Sequence, residues 1–79
     1  MAITLPGITP AFIVAMQAEK DELDARLGAL SKVVQTKDFE RVSESMQYLM
    51  TAQLFAMQTY SAILGTRLAV AATPVKLDS

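Results

Sequence analysis

The segment 52-AQLFAMQTYSAILG-65 lies within the longest uncharged run of the chain, which extends from Ser45 to Thr66. Its apolar residues recur at helical spacing on more than one side, with glutamine and hydroxyl side chains among them. A helix that is apolar on nearly all sides is buried on nearly all sides, either in lipid or in protein. What surrounds this predicted helix is therefore the main functional question.

One face of this helix has the spacing of a seam that packs on another helix. Steps of four and three separate its members: Met50, Leu54, Met57, Ser61, Leu64, Leu68 and Ala71. The other sides carry two further groups: Tyr48, Ala52, Phe55, Thr59 and Ala62 in one stripe, and Leu49, Ala56, Tyr60 and Ile63 in the remainder. One neighbouring helix cannot cover all of this surface, so we predict that copies of the chain cover the rest.

A second helix precedes this one in the chain. Thr9 has the character of an N-cap, and Pro10 suits the first helical position. An apolar stripe follows: Phe12, Met16, Leu23, Leu27, Leu30 and Val34. We predict a single all-α domain, a two-helix antiparallel hairpin that assembles into a helical polymer. Its predicted parts are an extended arm over 1–9, helices over 10–34 and 38–73, a turn over 35–37 and a tail over 74–79.

Composition limits the classes of function. A chain of 79 residues forms a marginal core, and the absence of Cys and His excludes disulfides and the usual zinc sites. Small domains then rely on oligomerisation. Seven Lys and Arg against eight Asp and Glu provide no basic surface for phosphates, so we predict self-association and no nucleic-acid partner.

The sequence also contains no recognisable catalytic arrangement. The acidic cluster Glu19, Asp21, Glu22 and Asp24 includes i, i+4 pairs with Lys20 and Arg26, which is typical of a solvated helix face. No nucleophile lies beside an evident base, and no glycine-rich phosphate loop is present. We therefore predict that the protein is not an enzyme and has no catalytic residues, cofactor or metal.

The N-terminal residues do not fit a cleaved signal peptide, because Pro6, Gly7 and Pro10 interrupt the apolar run and no Lys or Arg precedes it. Export would then follow a signal-independent route. The uncharged run is long enough to span a bilayer, but its glutamines and hydroxyls need partners in hydrocarbon. A membrane-associated helical hairpin is the alternative.

Residues 50–64, MTAQLFAMQTYSAIL, resemble the second helix of the needle subunits of type III secretion systems. The resemblance implies a hairpin that polymerises into a hollow tube, forms a protein-export conduit and contacts other secretion-machinery proteins. It also implies a secreted or cell-surface location. Phe55, Gln58, Tyr60 and Ser61 would then be polymer contacts.

We predict a polymer interface in this part of the second helix: Phe55, Gln58, Tyr60, Ser61, Ile63 and Leu64. Arg67 is a lone charge after the uncharged run, and it either lines the bore or extends to water near the helix end. The family commonly has prolines in the interhelical turn, whereas this chain has 35-QTKD-38. The inner-rod subunit, an unrelated helical filament, and a phage assembly or regulatory protein therefore stay as alternatives.

Overall fold

The computed structural model describes residues 2–3, 10–72 and 75–76. Two α-helices, α1 (Pro10–Val33) and α2 (Glu44–Ala72), pack against each other. A 3-10 helix (Lys37–Arg41) lies in the connection between them. At 1.5 Å per residue the two α-helices are about 36 and about 44 Å long. The all-α helical hairpin predicted from the sequence is therefore confirmed.

A two-residue ladder joins the two ends of the chain. Strand β1 (Ala2–Ile3) pairs antiparallel with β2 (Val75–Lys76), with Ala2 opposite Lys76 and Ile3 opposite Val75. The sequence predicted an extended arm and a tail but not this pairing. The rest of the predicted arm and tail, including the Thr9 cap, lies outside the described residues.

The core of the hairpin is a narrow seam between α1 and α2. Met16, Leu54 and Leu64 are its buried apolar residues, and Leu64 is fully buried. All seven positions of the seam predicted on α2 are buried or half-buried. The stripe predicted for the first helix is likewise buried or half-buried except at Phe12, which is exposed, and its last member, Val34, follows the end of α1. The three-and-four spacing therefore selected the packed face of each helix.

The connection ends α1 and starts α2 with specific hydrogen bonds. The Thr36 hydroxyl donates to the carbonyl of Val33 at 2.7 Å, where α1 ends. Val42 then adopts an extended backbone. The backbone N–H of Met46 donates to the Ser43 hydroxyl oxygen at 3.3 Å, which is the hydrogen bond of a helix N-cap.

The start of α2 therefore differs from the sequence-based prediction. The prediction placed it at residue 38, whereas α2 begins at Glu44. Residues 37–41 form the 3-10 helix instead, and the amide of Gln47 donates to the Val42 carbonyl at 2.7 Å. The extended Val42 and the capping Ser43 break the helix between these two elements.

Candidate interaction surfaces

Three polar side chains connect α1 and α2 within the seam: Lys20, Asp24 and Ser61. The Lys20 ammonium group donates to Asp24 Oδ2 at 2.6 Å and to Ser61 Oγ at 3.3 Å. The Ser61 hydroxyl donates to Asp24 Oδ1. Two hydrogen bonds to its carboxylate hold the pKa of Asp24 below its usual value. The bond from Lys20 has the larger effect, and the bond from Ser61 the smaller. We call these three residues the polar cluster.

The polar cluster corrects the expectation that the acidic residues of α1 form only a solvated face. The side chains of Lys20 and Asp24 are 25% and 39% exposed, because they lie against Ser61 on α2. The Glu22 and Arg26 pair, at 2.6 Å, does remain in solvent. Every buried side-chain nitrogen or oxygen in the described part of the chain has a hydrogen-bond partner. The polar cluster is therefore a satisfied link between the helices.

Gly65 allows α2 to approach the polar cluster closely. A Cβ atom at this position would lie 3.3 Å from Cε of Lys20, which is a tight contact with a flexible side chain. By contrast, a Cβ atom at Gly28 would meet no atom within 4 Å. The two helical glycines therefore differ, because only Gly65 lies at the helix contact.

Tyr60 makes a second polar contact between the helices, beside the polar cluster. Its hydroxyl donates to the carboxylate of Glu19. This hydrogen bond raises the pKa of Tyr60, because the nearby carboxylate favours the protonated phenol. Tyr60 and Glu19 also line a small open groove of about 140 Å³ together with Glu22, Leu23 and Arg26.

The side of α2 that points away from α1 is exposed and largely apolar. We call it the outer face and define it by five residues: Tyr48, Ala52, Phe55, Thr59 and Ala62. All five are exposed, and Tyr48 and Phe55 leave 74% and 61% of their surfaces in solvent. The Thr59 hydroxyl donates to the Phe55 carbonyl of the same helix at 3.1 Å. The hairpin by itself therefore leaves two large aromatic side chains uncovered.

The residues predicted as a polymer interface do not share one surface. Phe55, Gln58, Tyr60 and Ile63 are exposed, as is Arg67. The other two predicted contacts, Ser61 and Leu64, are instead buried in the seam against α1. Their three-residue spacing places them on the same face of α2 as Leu54, and α1 occupies that face.

The polar cluster was not predicted from the sequence. The pairing of Lys20 with Asp24 was noted, but i, i+4 pairs are usual on solvated faces. The sequence feature that indicates the polar cluster is Ser61, the one hydroxyl residue in an otherwise apolar seam. A buried hydroxyl needs a hydrogen-bond partner, and a polar side chain on the facing helix can provide it.

Two further features bear on the class of function. In the described part of the chain, no helix has the length and hydropathy that crossing a membrane requires. The same residues contain no group of three acidic side chains placed to hold a metal ion. The described residues instead form hydrogen-bonded contacts between α1 and α2 and an exposed apolar surface on α2.

Comparison with known proteins relates the helical hairpin to one protein family. No curated protein and no solved structure matches the chain. The family model described as Sequestin matches residues 10–70, which contain all of α1, the connection and nearly all of α2. The matched region is thus the helical hairpin itself, and the chain belongs to the Sequestin family.

Proposed function

We propose that this protein is a structural subunit that assembles with copies of itself through exposed surfaces of α2. The observation that carries the proposal is the exposure of Phe55 and Tyr48 on the outer face. Contiguous exposed apolar surface is characteristic of interaction sites. Because α1 covers only one face of α2, the remaining faces are available to other molecules.

The charge distribution supports a second copy as the partner. The formal net charge of the chain is −1, so copies repel each other only weakly. No charged residue lies between Glu44 and Arg67, so copies of α2 can approach without placing like charges together. The exposed glutamine and hydroxyl side chains, such as Gln58 and Thr59, can form hydrogen bonds across such a contact.

The size of the core also favours association. A domain of 79 residues buries a smaller share of its surface than a larger domain does, and the buried apolar residues of the described part are Met16, Leu54 and Leu64. Small domains without disulfides or metals are commonly stabilised by oligomerisation. Assembly through α2 would remove further apolar surface from water, at roughly 25 cal/mol per Å².

A narrower form of the proposal follows from the resemblance of residues 50–64 to type III secretion needle subunits. The assembly is then a hollow filament or an inner rod that conducts exported proteins, located outside the cell and in contact with the secretion machinery. Arg67, which is exposed, lines the bore in this arrangement. The narrower form rests on the resemblance, whereas self-assembly rests on the exposed surface of α2.

We also propose that the polar cluster has a structural role and no catalytic one. A Ser and Lys pair can act as nucleophile and base when the amine is free to accept a proton. Here the Lys20 ammonium group is bound by Asp24, and the Ser61 hydroxyl donates to that same carboxylate. Ser61 is also buried between the helices, at 9% exposure.

The test compares wild-type protein with Phe55→Asp by negative-stain microscopy and sedimentation velocity in detergent-free buffer. Wild-type protein should form large assemblies. Phe55→Asp should stay helical by circular dichroism but form only small species, because a charge buried in a contact without a partner is costly. Val14→Asp is the matched control, since Val14 is an exposed apolar residue on α1, and it should behave as wild type.

Two outcomes would contradict the proposal. Phe55→Asp protein that forms the same assemblies as wild type excludes the outer face as a contact. Protein that is soluble only in detergent favours the membrane-associated hairpin instead.

A further inference from the structure

A second heptad pattern runs along α2, on an exposed face beside the one that α1 covers. Steps of three and four separate its members, which we call the flank: Met46, Leu49, Gln53, Ala56, Tyr60, Ile63, Arg67 and Val70. All eight residues are exposed. The flank lies about 100° around the helix axis from the seam that contacts α1. Because the seam has the same spacing, α2 has the pattern of a helix with two helical neighbours.

The flank is complementary to itself when two copies run antiparallel. With the two-fold axis at the level of residue 58, Ala56 of one copy lies opposite Tyr60 of the other. The smallest side chain of the flank thus faces its largest one. The other pairs are Met46 with Val70, Leu49 with Arg67, and Gln53 with Ile63. Residues 46, 53, 60 and 67 share one heptad position, and residues 49, 56, 63 and 70 share the other. Each pair joins one residue from each position, as in antiparallel helix packing.

The charges of α2 also favour the antiparallel direction. Glu44, in the first turn, is its only acidic residue, and Arg67, near its other end, is its only basic residue. Antiparallel pairing brings Glu44 of one copy to the end of the contact where Arg67 of the other lies. A parallel pair would place like charges at the same end of the contact and align the helix dipoles.

Tyr60 and Arg67, two of the three polar members of the flank, do not oppose burial. The Tyr60 hydroxyl already donates to Glu19 of its own molecule, so the ring can enter a contact without an unpaired polar group. Arg67 lies near the end of α2, where its long side chain can cover Leu49 of the other copy and keep its charge in water.

We infer that the flank of α2 binds the flank of α2 in a second copy, antiparallel and about a two-fold axis at residue 58. The product is a dimer of two hairpins with four helices. This inference rests on the proposed self-assembly and names its first contact. The outer face, with Phe55 and Tyr48, stays free in the dimer and provides the surface through which dimers add to a larger assembly.

Cross-linking between single-cysteine variants tests the inference, because the chain has no native cysteine. Gln53→Cys and Ile63→Cys are mixed and oxidised. The mixture should form a disulfide-linked dimer, since the two positions lie opposite each other. Neither variant alone should do so, because equivalent residues would lie about 15 Å apart along the axis, beyond the roughly 7 Å limit between Cα atoms of a disulfide.

Two further pairs make the result decisive. Met46→Cys with Val70→Cys is a second facing pair and should cross-link as well. This pair leaves Ile63 in place, so its result does not depend on packing lost by the Ile63→Cys substitution. Gln53→Cys with Gln58→Cys is the matched control, because Gln58 lies on the opposite side of α2 from the flank, and it should give no cross-linked dimer.

The outcomes separate this inference from the proposed function. Self-linked dimers from Gln53→Cys alone would indicate a parallel contact and overturn the inference. Failure of both facing pairs, in protein that sediments as dimers or larger species, would overturn the flank contact and leave self-assembly standing. Wild-type protein that stays monomeric at every concentration would overturn both.

Discussion

Ser61 donates its hydroxyl hydrogen bond to the carboxylate of Asp24, which links the one hydroxyl residue of the α2 seam to α1. Lys20 contacts both side chains and completes the polar cluster. If α2 slipped by one turn along α1, these groups would lose their partners in a half-buried position, which is unfavourable. The polar cluster therefore favours this register of the hairpin, and with it the exposure of the other faces of α2.

Ser61→Ala should lower the free energy of unfolding by about 1 kcal/mol, because it removes a hydroxyl that is hydrogen-bonded to two charged groups. Urea unfolding, monitored by circular dichroism at a concentration where one species sediments, measures the change. Thr66→Ala is the control, since the Thr66 hydroxyl donates only to the Ala62 carbonyl of its own helix and is exposed. Equal effects of the two substitutions would contradict a register role for Ser61.

Asp24 should make the stability of the hairpin dependent on acidic pH. Its pKa is lowered in the folded protein, so its contribution is present above the unfolded value of about 3.9 and is lost as the pH falls through the folded value. The difference in unfolding free energy between wild type and Asp24→Asn should therefore be greatest above about pH 5 and shrink on acidification. A difference that stays constant with pH would contradict the assigned hydrogen bonds.

The two helical glycines should respond differently to alanine. Gly28→Ala should stabilise the protein by about 0.5 to 1 kcal/mol, because alanine is the better helix former and the new methyl group meets open space. Gly65→Ala should gain less, since its methyl group presses on Lys20 Cε at 3.3 Å. Thermal or urea unfolding of both variants measures the contrast, and an equal gain would exclude close packing at Gly65.

The start of α2 can be tested by whether an alanine substitution raises or lowers the stability of the protein. Ser43→Ala should destabilise the protein by about 1 kcal/mol, because it removes the helix cap that Met46 contacts. Ser45→Ala, inside the first turn, should change the stability little. If the helix began at residue 38, Ser43 would lie in its interior, and alanine there would increase the stability in an unfolding experiment.

The sequence predicted the hairpin and its packed faces because three-and-four spacing marks the buried stripe of a helix. For this reason the sequence correctly predicted the buried positions of Leu54 and Leu64 on α2 and of Met16 on α1. The start of α2 could not be predicted from the sequence, because Asp38 and Ser43 are both suitable capping residues. Only the extended backbone at Val42 decides between them.

The contact surfaces were harder to predict than the elements. Ser61 and Leu64 were assigned both to the seam and to a polymer interface, and the structure places them in the seam. Spacing alone gives the faces of a helix but does not say which neighbour covers each one. The flank was recognised only once α1 had been placed, because its members then remained as an exposed heptad pattern.

We propose that copies of the chain cover the surfaces of α2 that α1 leaves exposed. Sedimentation velocity of the wild-type protein in detergent-free buffer, as its concentration is raised about a hundredfold, tests it most directly. The mass should rise from that of the 8.6 kDa chain to that of a dimer and then of larger assemblies. A single 8.6 kDa species at every concentration would contradict it.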